Sequence, residues 1–403
     1  MFVFLSIALC LALVSFGGTE PEGWLGLTLF WTAGLAVWVV YAAFRERRID
    51  LRFVLLAIGC AALAVFADPR LALGPIAGTT AWMASRSHRK ALPMFLHVLL
   101  GIGVLEALLG LFQYLVAPGW IFGYVNTYYP TSGTLINKNH FAGLLGMIIP
   151  VAVGLAYVAW ARHRDLARCY VYLLAGSLMG LALVFSLSRM GILVLLVTLS
   201  VMSVLVRLSL RAGRASALAL VPLCLVLAGT MWMGMGVVVE RYSHLVAGGN
   251  TVSQRLTVFA DTIRMIRDNP LGIGPGAYAD QFRRYQSADH ALLFDHAHND
   301  YLETAAEWGL PVAVAVWAFV FLVFARAIRA FLATRQRERR GILLAVIGGI
   351  LSILVHSLAD FNLQIPSNAM LFSAYIGIAA AAIEGWGLRD AASERAAPSP
   401  LAT

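Results

Sequence analysis

The chain has 403 residues, of which 60% are hydrophobic and only 13% charged, and its mean hydropathy is +0.79. That balance excludes an ordinary soluble domain, and apolar runs of about 17–25 residues recur, the length that crosses a hydrocarbon core of about 30 Å. The formal net charge of +9 does not point to nucleic acid, because the basic residues cluster in short loops between apolar runs, as cytoplasmic loops of membrane proteins do.

The apolar runs are continuous and not alternating, so they read as helices, which satisfy their own backbone in lipid. The expected fold class is all-α, a polytopic helical membrane protein of about twelve spans with one large loop. In chain order the spans are roughly 2–16, 24–44, 53–67, 70–84, 92–117, 139–161, 169–186, 190–206, 216–238, 309–331, 341–359 and 368–387. The first lacks a basic leader and an A-x-A pattern, and reads as a retained helix, not a signal peptide.

The loops give the orientation. RERRIDLR (45–52), SRSHRK (85–90), RHRDLAR (162–168), RLSLRAGR (207–214) and TRQRERR (334–340) follow spans two, four, six, eight and ten. Basic loops stay in the cytoplasm, so both termini are expected there. The loops 118–138, 186–189, 239–308 and 360–368 are expected on the opposite side. Three parts follow: N-terminal helices (1–117), a core (118–387) holding the large loop 239–308, and a polar tail (388–403) expected to be disordered and cytoplasmic. Cys10, Cys60, Cys169 and Cys224 show no C-x-x-C spacing and read as small hydrophobes.

Within the large loop, 252–268 carries apolar residues at 252, 256, 259, 263 and 266, a helical spacing. NPLGIGPGAY (269–278) is a turn cluster, and DHAHNDYLETAAE (295–307) packs histidines and carboxylates into one run. Arg189, in FSLSRMGI, is either an interfacial anchor or a phosphate ligand, for which a guanidinium fork is suited. Arg255 alone reads as a solvated charge. With Arg241, Arg264, Arg267, Arg283 and Arg284 it makes the loop a basic cap that suits an anionic lipid phosphate.

His296 and His298 form H-x-H, with three readings of equal weight: packing or capping residues, a general base at His298, or metal ligands with Asp295, Asp300 and Glu303. Lys138, Asn139 and His140 open span six as anchors or ligand contacts. Glu106 lies inside span five, either paired or lining a polar cavity. Tyr301 and Trp308 suit an aromatic belt. Asp360, Asn362 and Gln364 add polar groups to the last loop.

Taken together these stretches resemble the O-antigen ligase and polymerase superfamily, over residues 126 to 387. SLSRMG (186–191) is similar to the family's S-x-S-R-G-type motif, with Met190 inserted before the glycine. Arg255 followed by a helix and NPLGIGPGAY resembles its Arg then P-x-x-G-x-G stretch. HAHNDYLETAAEWGL (296–310) resembles its H-N-x-x-L…E-x-G motif. NKNHFAGLL (137–145) and DFNLQIP (360–366) resemble an opening and a closing stretch.

The resemblance implies a C-type membrane glycosyltransferase of the bacterial inner membrane, metal-independent, inverting and without cofactor, its site facing the periplasm. The donor would be a glycan on undecaprenyl diphosphate, and the acceptor a second glycan, as in an exopolysaccharide polymerase, or a lipid A-core (lipopolysaccharide) or a protein, as in a ligase. Other polysaccharide export proteins are implied as partners. Arg189 and Arg255 would hold the diphosphate and His298 would act on the acceptor hydroxyl. Lys138, Asn139, His140, Asn299 and Tyr301 would complete the substrate site. Two other classes compete: a transporter or flippase of lipid-linked glycans, although no internal repeat is visible, and a metal-dependent membrane hydrolase using H-x-H.

Overall fold

The structure, a computed structural model, describes residues 2–15, 69–87, 91–210, 250–287 and 294–396. It is a bundle of long helices with a short helical cap at one end. The long elements are α1 (Phe2–Val14), α2 (Pro69–Ser87), α3 (Leu92–Leu115), α4 (Lys138–Val158), α5 (Leu166–Phe185), α6 (Arg189–Leu210), α10 (Leu310–Ala333), α11 (Arg337–His356) and α12 (Pro366–Ala396). The cap holds α7 (Asn250–Asp268), α8 (Tyr278–Phe282) and α9 (Asp300–Trp308). Among the described residues seven helices are long and apolar enough to cross a membrane, which makes this a multi-pass membrane protein.

The expected spans at 24–44, 53–67 and 216–238 lie outside the described residues, as do Cys60 and Cys224. Span 70–84 forms α2, yet its Thr, Ser and Gly content keeps it out of the seven apolar helices. Those small residues serve a close crossing instead. A Cβ on Gly377 of α12 would strike the Gly78 carbonyl of α2, and one on Gly78 would strike that of Ser373. Three other departures occur. A two-stranded ribbon, Trp120–Ile121 paired with Tyr124–Val125, interrupts the all-α expectation. A π-turn, Ala159–His163, ends α4. α12 continues to Ala396, so helix occupies much of the stretch expected as an unstructured tail.

α4 is the central helix. It is apolar on all sides and almost wholly buried, and α5, α6 and α11 pack around it. Its C-terminal end meets the start of α11, where Arg162 pairs with Glu338 and Arg337 donates to the Ala161 carbonyl (2.5 Å). Arg340 donates to the Ser209 carbonyl at the end of α6 (3.1 Å). The basic loops 162–168 and 334–340 and the residues about 207–210 therefore gather at one end, as the alternation of the sequence requires. The starts of α4 and α6, the cap, and the turn 357–365 gather at the other.

The turn cluster 269–278 fastens the cap by its backbone. Ile273 N donates to Ala306 O (2.9 Å), Gly274 N to Glu307 O (3.0 Å) and Leu310 N to Pro270 O (3.0 Å). Gly272 (φ +92°) and Gly309 (φ +82°) face one another there, and a Cβ on either would enter the opposite main chain.

Candidate active site

At the cap end, α9 begins where the chain leaves a left-handed residue, His298 (φ +51°), and Asn299 becomes the N-cap. The Asn299 side chain accepts from Leu302 N (3.0 Å) and donates to the Leu358 carbonyl (3.0 Å). Asp300, fully buried, accepts from the Ser357 hydroxyl (2.6 Å) and from Leu363 N (3.2 Å). Burial, against those bonds, raises its carboxyl well above the usual carboxylate range. Tyr301 donates its hydroxyl to the Leu354 carbonyl (2.7 Å) and packs its ring on Trp317. These contacts lock the 295–301 run to the turn between α11 and α12.

That turn carries the centre of the site. The Asp360 carboxylate is 0% exposed, and three cationic or titratable groups face it. His298 Nδ1 is 3.8 Å from one oxygen, His140 Nε2 is 3.9 Å from the same oxygen, and an Arg255 Nη is 4.0 Å from the other. Arg255 is held in place by donating to the Ala359 carbonyl (2.6 Å). Burial would raise the Asp360 carboxyl. His298 beside it, with His140, His356 and Arg255, outweighs burial and holds it well below the usual range. Phe361 fills the space between the imidazoles, stacked on His296 and edge-on to His140 and His298.

The two histidines of H-x-H serve different carboxylates. His296 Nδ1 bonds to Glu303 (2.6 Å), whose second oxygen accepts from Ala297 N (2.8 Å). Burial lowers the His296 pKa, but the bond to Glu303 outweighs it and raises it overall. His298 belongs to Asp360. Among the described residues no group of three or more His, Cys, Asp or Glu side chains is placed to hold one metal ion.

The sequence-based candidates divide accordingly. His298, Arg255 and His140 converge on Asp360. Lys138 sits with its ammonium 5.7 Å from the centre of the Tyr129 ring, and Asn139 is half-buried in the first turn of α4. Asn299 and Tyr301, expected against substrate, have their polar atoms bonded to the backbone that shapes the site. Arg189 begins α6, half-buried. Its turn is set by Ser188, whose hydroxyl accepts from Gly191 N (3.2 Å), and a Cβ on Gly191 would strike the Ala142 methyl, two residues beyond His140. Glu106, at 5% exposure, takes Thr134 N (2.9 Å) and the Thr134 hydroxyl (2.7 Å), and so ties the loop before α4 to α3.

Three participants were missed in the sequence. Asp360 appeared only as one polar residue in a loop. His356, fully buried with both ring nitrogens lacking a hydrogen-bond partner, closes an apolar run and gave no signal. Tyr129 is brought close by Asn126, whose side chain accepts from Tyr128 N and Tyr129 N. Burial, with Asp360 near it, raises the Tyr129 hydroxyl. Its signal was the NTYYP turn before α4.

The fold and the site define a helical membrane protein with one buried His–Asp–Arg centre at the end opposite its basic loops. Residues 174–317 match the family model described as O-antigen ligase. Over those residues the chain is similar to a family of membrane glycosyl-transferring ligases and polymerases. The match spans α5 to the first turns of α10 and contains Arg189, Arg255 and His298, while His140, His356 and Asp360 lie outside it. No curated protein matches the chain.

Proposed function

We propose that the protein moves a glycan from undecaprenyl diphosphate to an acceptor hydroxyl on the periplasmic face of the bacterial inner membrane, as a ligase or a polysaccharide polymerase. The observation that carries this reading is the pairing of His298 and Arg255 across one buried carboxylate. Asp360 faces Nδ1 of His298 and leaves Nε2 to meet a substrate hydroxyl. The acceptor O–H gives its proton to Nε2 as its oxygen attacks the anomeric carbon. The bond from that carbon to the diphosphate oxygen breaks, and undecaprenyl diphosphate leaves with the electron pair, inverting the carbon. Arg255, and Arg189 at the start of α6, neutralise the charge that develops on the leaving group in a partly dry site. The lipid tail of such a donor accounts for placing the centre at the end of a membrane bundle. The twelve-span count, with both termini in the cytoplasm, belongs to the same reading.

The test is complementation of cells lacking their own copy of the gene, with wild type or His298→Ala, at matched protein level in the membrane. Wild type restores surface polymer. His298→Ala lowers transfer by about 10²–10⁴-fold, the usual share of a positioned base. Accumulated single lipid-linked units then identify a polymerase, and accumulated long lipid-linked chains a ligase. Normal output from His298→Ala would remove the histidine from the mechanism. Movement of lipid-linked glycan across liposomes by purified protein, with no new glycosidic bond, would return the transporter reading.

A further inference from the structure

Beyond the Asp360 centre, the cap carries a second cluster of positive charge. Arg264 and Arg267 of α7, Arg284 from the turn after α8, Asp268 and Tyr285 line an open cavity of about 400 Å³. The step of nine residues from Arg255 to Arg264 is about two and a half helical turns, so the two lie on opposite faces of α7, about 14 Å apart along its axis. The cavity is therefore not an annex of the transfer site.

Its walls are held. Arg264 donates to the buried Asp261 carboxylate (2.5 Å) and to the Tyr285 carbonyl (3.0 Å). The same carboxylate also accepts from Ser287 N (2.7 Å, at Oδ2) and from the Ser287 hydroxyl, which reaches both oxygens. The Tyr285 hydroxyl accepts from the Asn269 amide (3.1 Å). Arg264 thus answers Asp261, and its guanidinium stays half-exposed toward the cavity. The side chains of Arg267 and Arg284 have no hydrogen bond or ion pair among the described residues, and Asp268 is the one carboxylate that lines the opening. Two guanidinium forks not engaged in an ion pair, beside a third fixed by its neighbours, outnumber the single carboxylate of Asp268 and match the oxygens of a phosphate group.

We propose that this cavity is a second anion site, in which Arg264, Arg267 and Arg284 hold a phosphate group on the face of α7 remote from Arg255. The phosphate can be carried by a lipid headgroup or by a sugar, and the chemistry of recognition is the same for both. Ile263, exposed one turn before Arg267, gives the rim an apolar edge that either ligand would cover.

The test uses the full-length protein in nanodiscs of phosphatidylcholine. One arm titrates glucose 6-phosphate against glucose. The other adds phosphatidylglycerol to the nanodisc and counts retained lipids by native mass spectrometry. The expected result is selective binding in at least one arm, weakened about tenfold or more in the Arg267→Gln/Arg284→Gln double variant, unchanged in Arg255→Gln, and weaker as salt rises. Binding of the phosphosugar identifies a glycan-borne phosphate, and retention of phosphatidylglycerol alone identifies a headgroup. Both replaced side chains are exposed, so the double variant keeps the fold, and an unchanged unfolding midpoint verifies it. Two outcomes overturn the proposal: no preference for the phosphate form of either probe, or binding by the double variant equal to wild type.

Discussion

The two ends of the bundle are both rich in charge, but they place it differently. At the basic end, Arg337, Arg340 and Arg339 donate to the carbonyls of Ala161, Ser209 and Ala382, and Arg162 meets Glu338 in an exposed pair. Arg337 and Arg340 there satisfy backbone oxygens at the ends of α4 and α6, which are the groups that helix C-termini leave open, and Arg339 reaches a carbonyl within α12. At the cap end the carboxylates of Asp300, Glu303, Glu307 and Asp360 are nearly or fully buried. Some of their surroundings are unsatisfied: His140 Nε2, His298 Nδ1 and Asp360 Oδ2 are buried without a hydrogen-bond partner. Leaving such atoms unpaired costs stability. Arg340 Nε at the basic end is also buried without a partner, but its guanidinium donates through an Nη, whereas the imidazoles and carboxylate of the cap end face one another. The basic end is built to hold the bundle and the cap end to act on something.

The sharpest way to break this contrast is Asp360→Asn. The amide keeps the shape but leaves three imidazoles and Arg255 without their shared counter-charge. Transfer is expected to fall about 100-fold or more, with protein level in the membrane close to wild type. A rate within threefold of wild type would show that Asp360 does not orient His298.

Much of the scaffold was legible before any coordinates, and the site only in part. Continuous apolar runs and the basic loops located the long helices and the two ends, because both follow from the bilayer. His298 stood out in a dense polar run, with three readings open, and Arg255 read alone as a solvated charge; the family resemblance is what singled out both. The 360–366 stretch was visible too, yet nothing local marks Asp360 as the residue on which they converge. That role exists only when α11 and α12 bring their turn under α7 and α9. His356 was hidden for the reverse reason, since a histidine closing an apolar helix looks like an interfacial residue. For Asn299 and Tyr301, a cap side chain and a substrate ligand share the same chemistry, and in this structure both bond to backbone groups. The small-residue crossing of α2 and α12 could not be read either, as glycine and serine spacing alone does not name the partner helix.

A middle-sized effect is expected at Glu307, which fastens the turn cluster under the site. Its carboxylate accepts from Tyr278 N (3.3 Å), and burial, then Glu303, pushes it up to about 7. A carboxyl raised in the folded state contributes stability that is fully present below its unfolded value near 4.5 and is lost as pH rises through about 7. Hydrogen exchange at the Ile273 and Gly274 amides should therefore quicken between about pH 5 and pH 8, by an opening free energy that falls about 1–3 kcal/mol. Glu307→Gln should flatten that dependence. An unchanged slope in the variant would assign the loosening to another group.

The smallest effect belongs to the basic end, and it tests whether the contrast is one of kind. Arg162 and Glu338 are 49% and 45% exposed, and such a pair contributes about 0–1 kcal/mol. Arg162→Gln should leave transfer within about twofold of wild type and move the unfolding midpoint by no more than a few degrees. The remaining cations of this end act on backbone carbonyls that Arg162 does not share, so its loss strands no buried group. If Arg162→Gln instead reduced transfer as far as Asp360→Asn, with the bundle still folded, the basic end would be coupled to the chemistry through α4, whose far end carries His140. A null result leaves α4 as a rigid support, and confines the reacting groups to the end where buried carboxylates meet imidazoles and arginine.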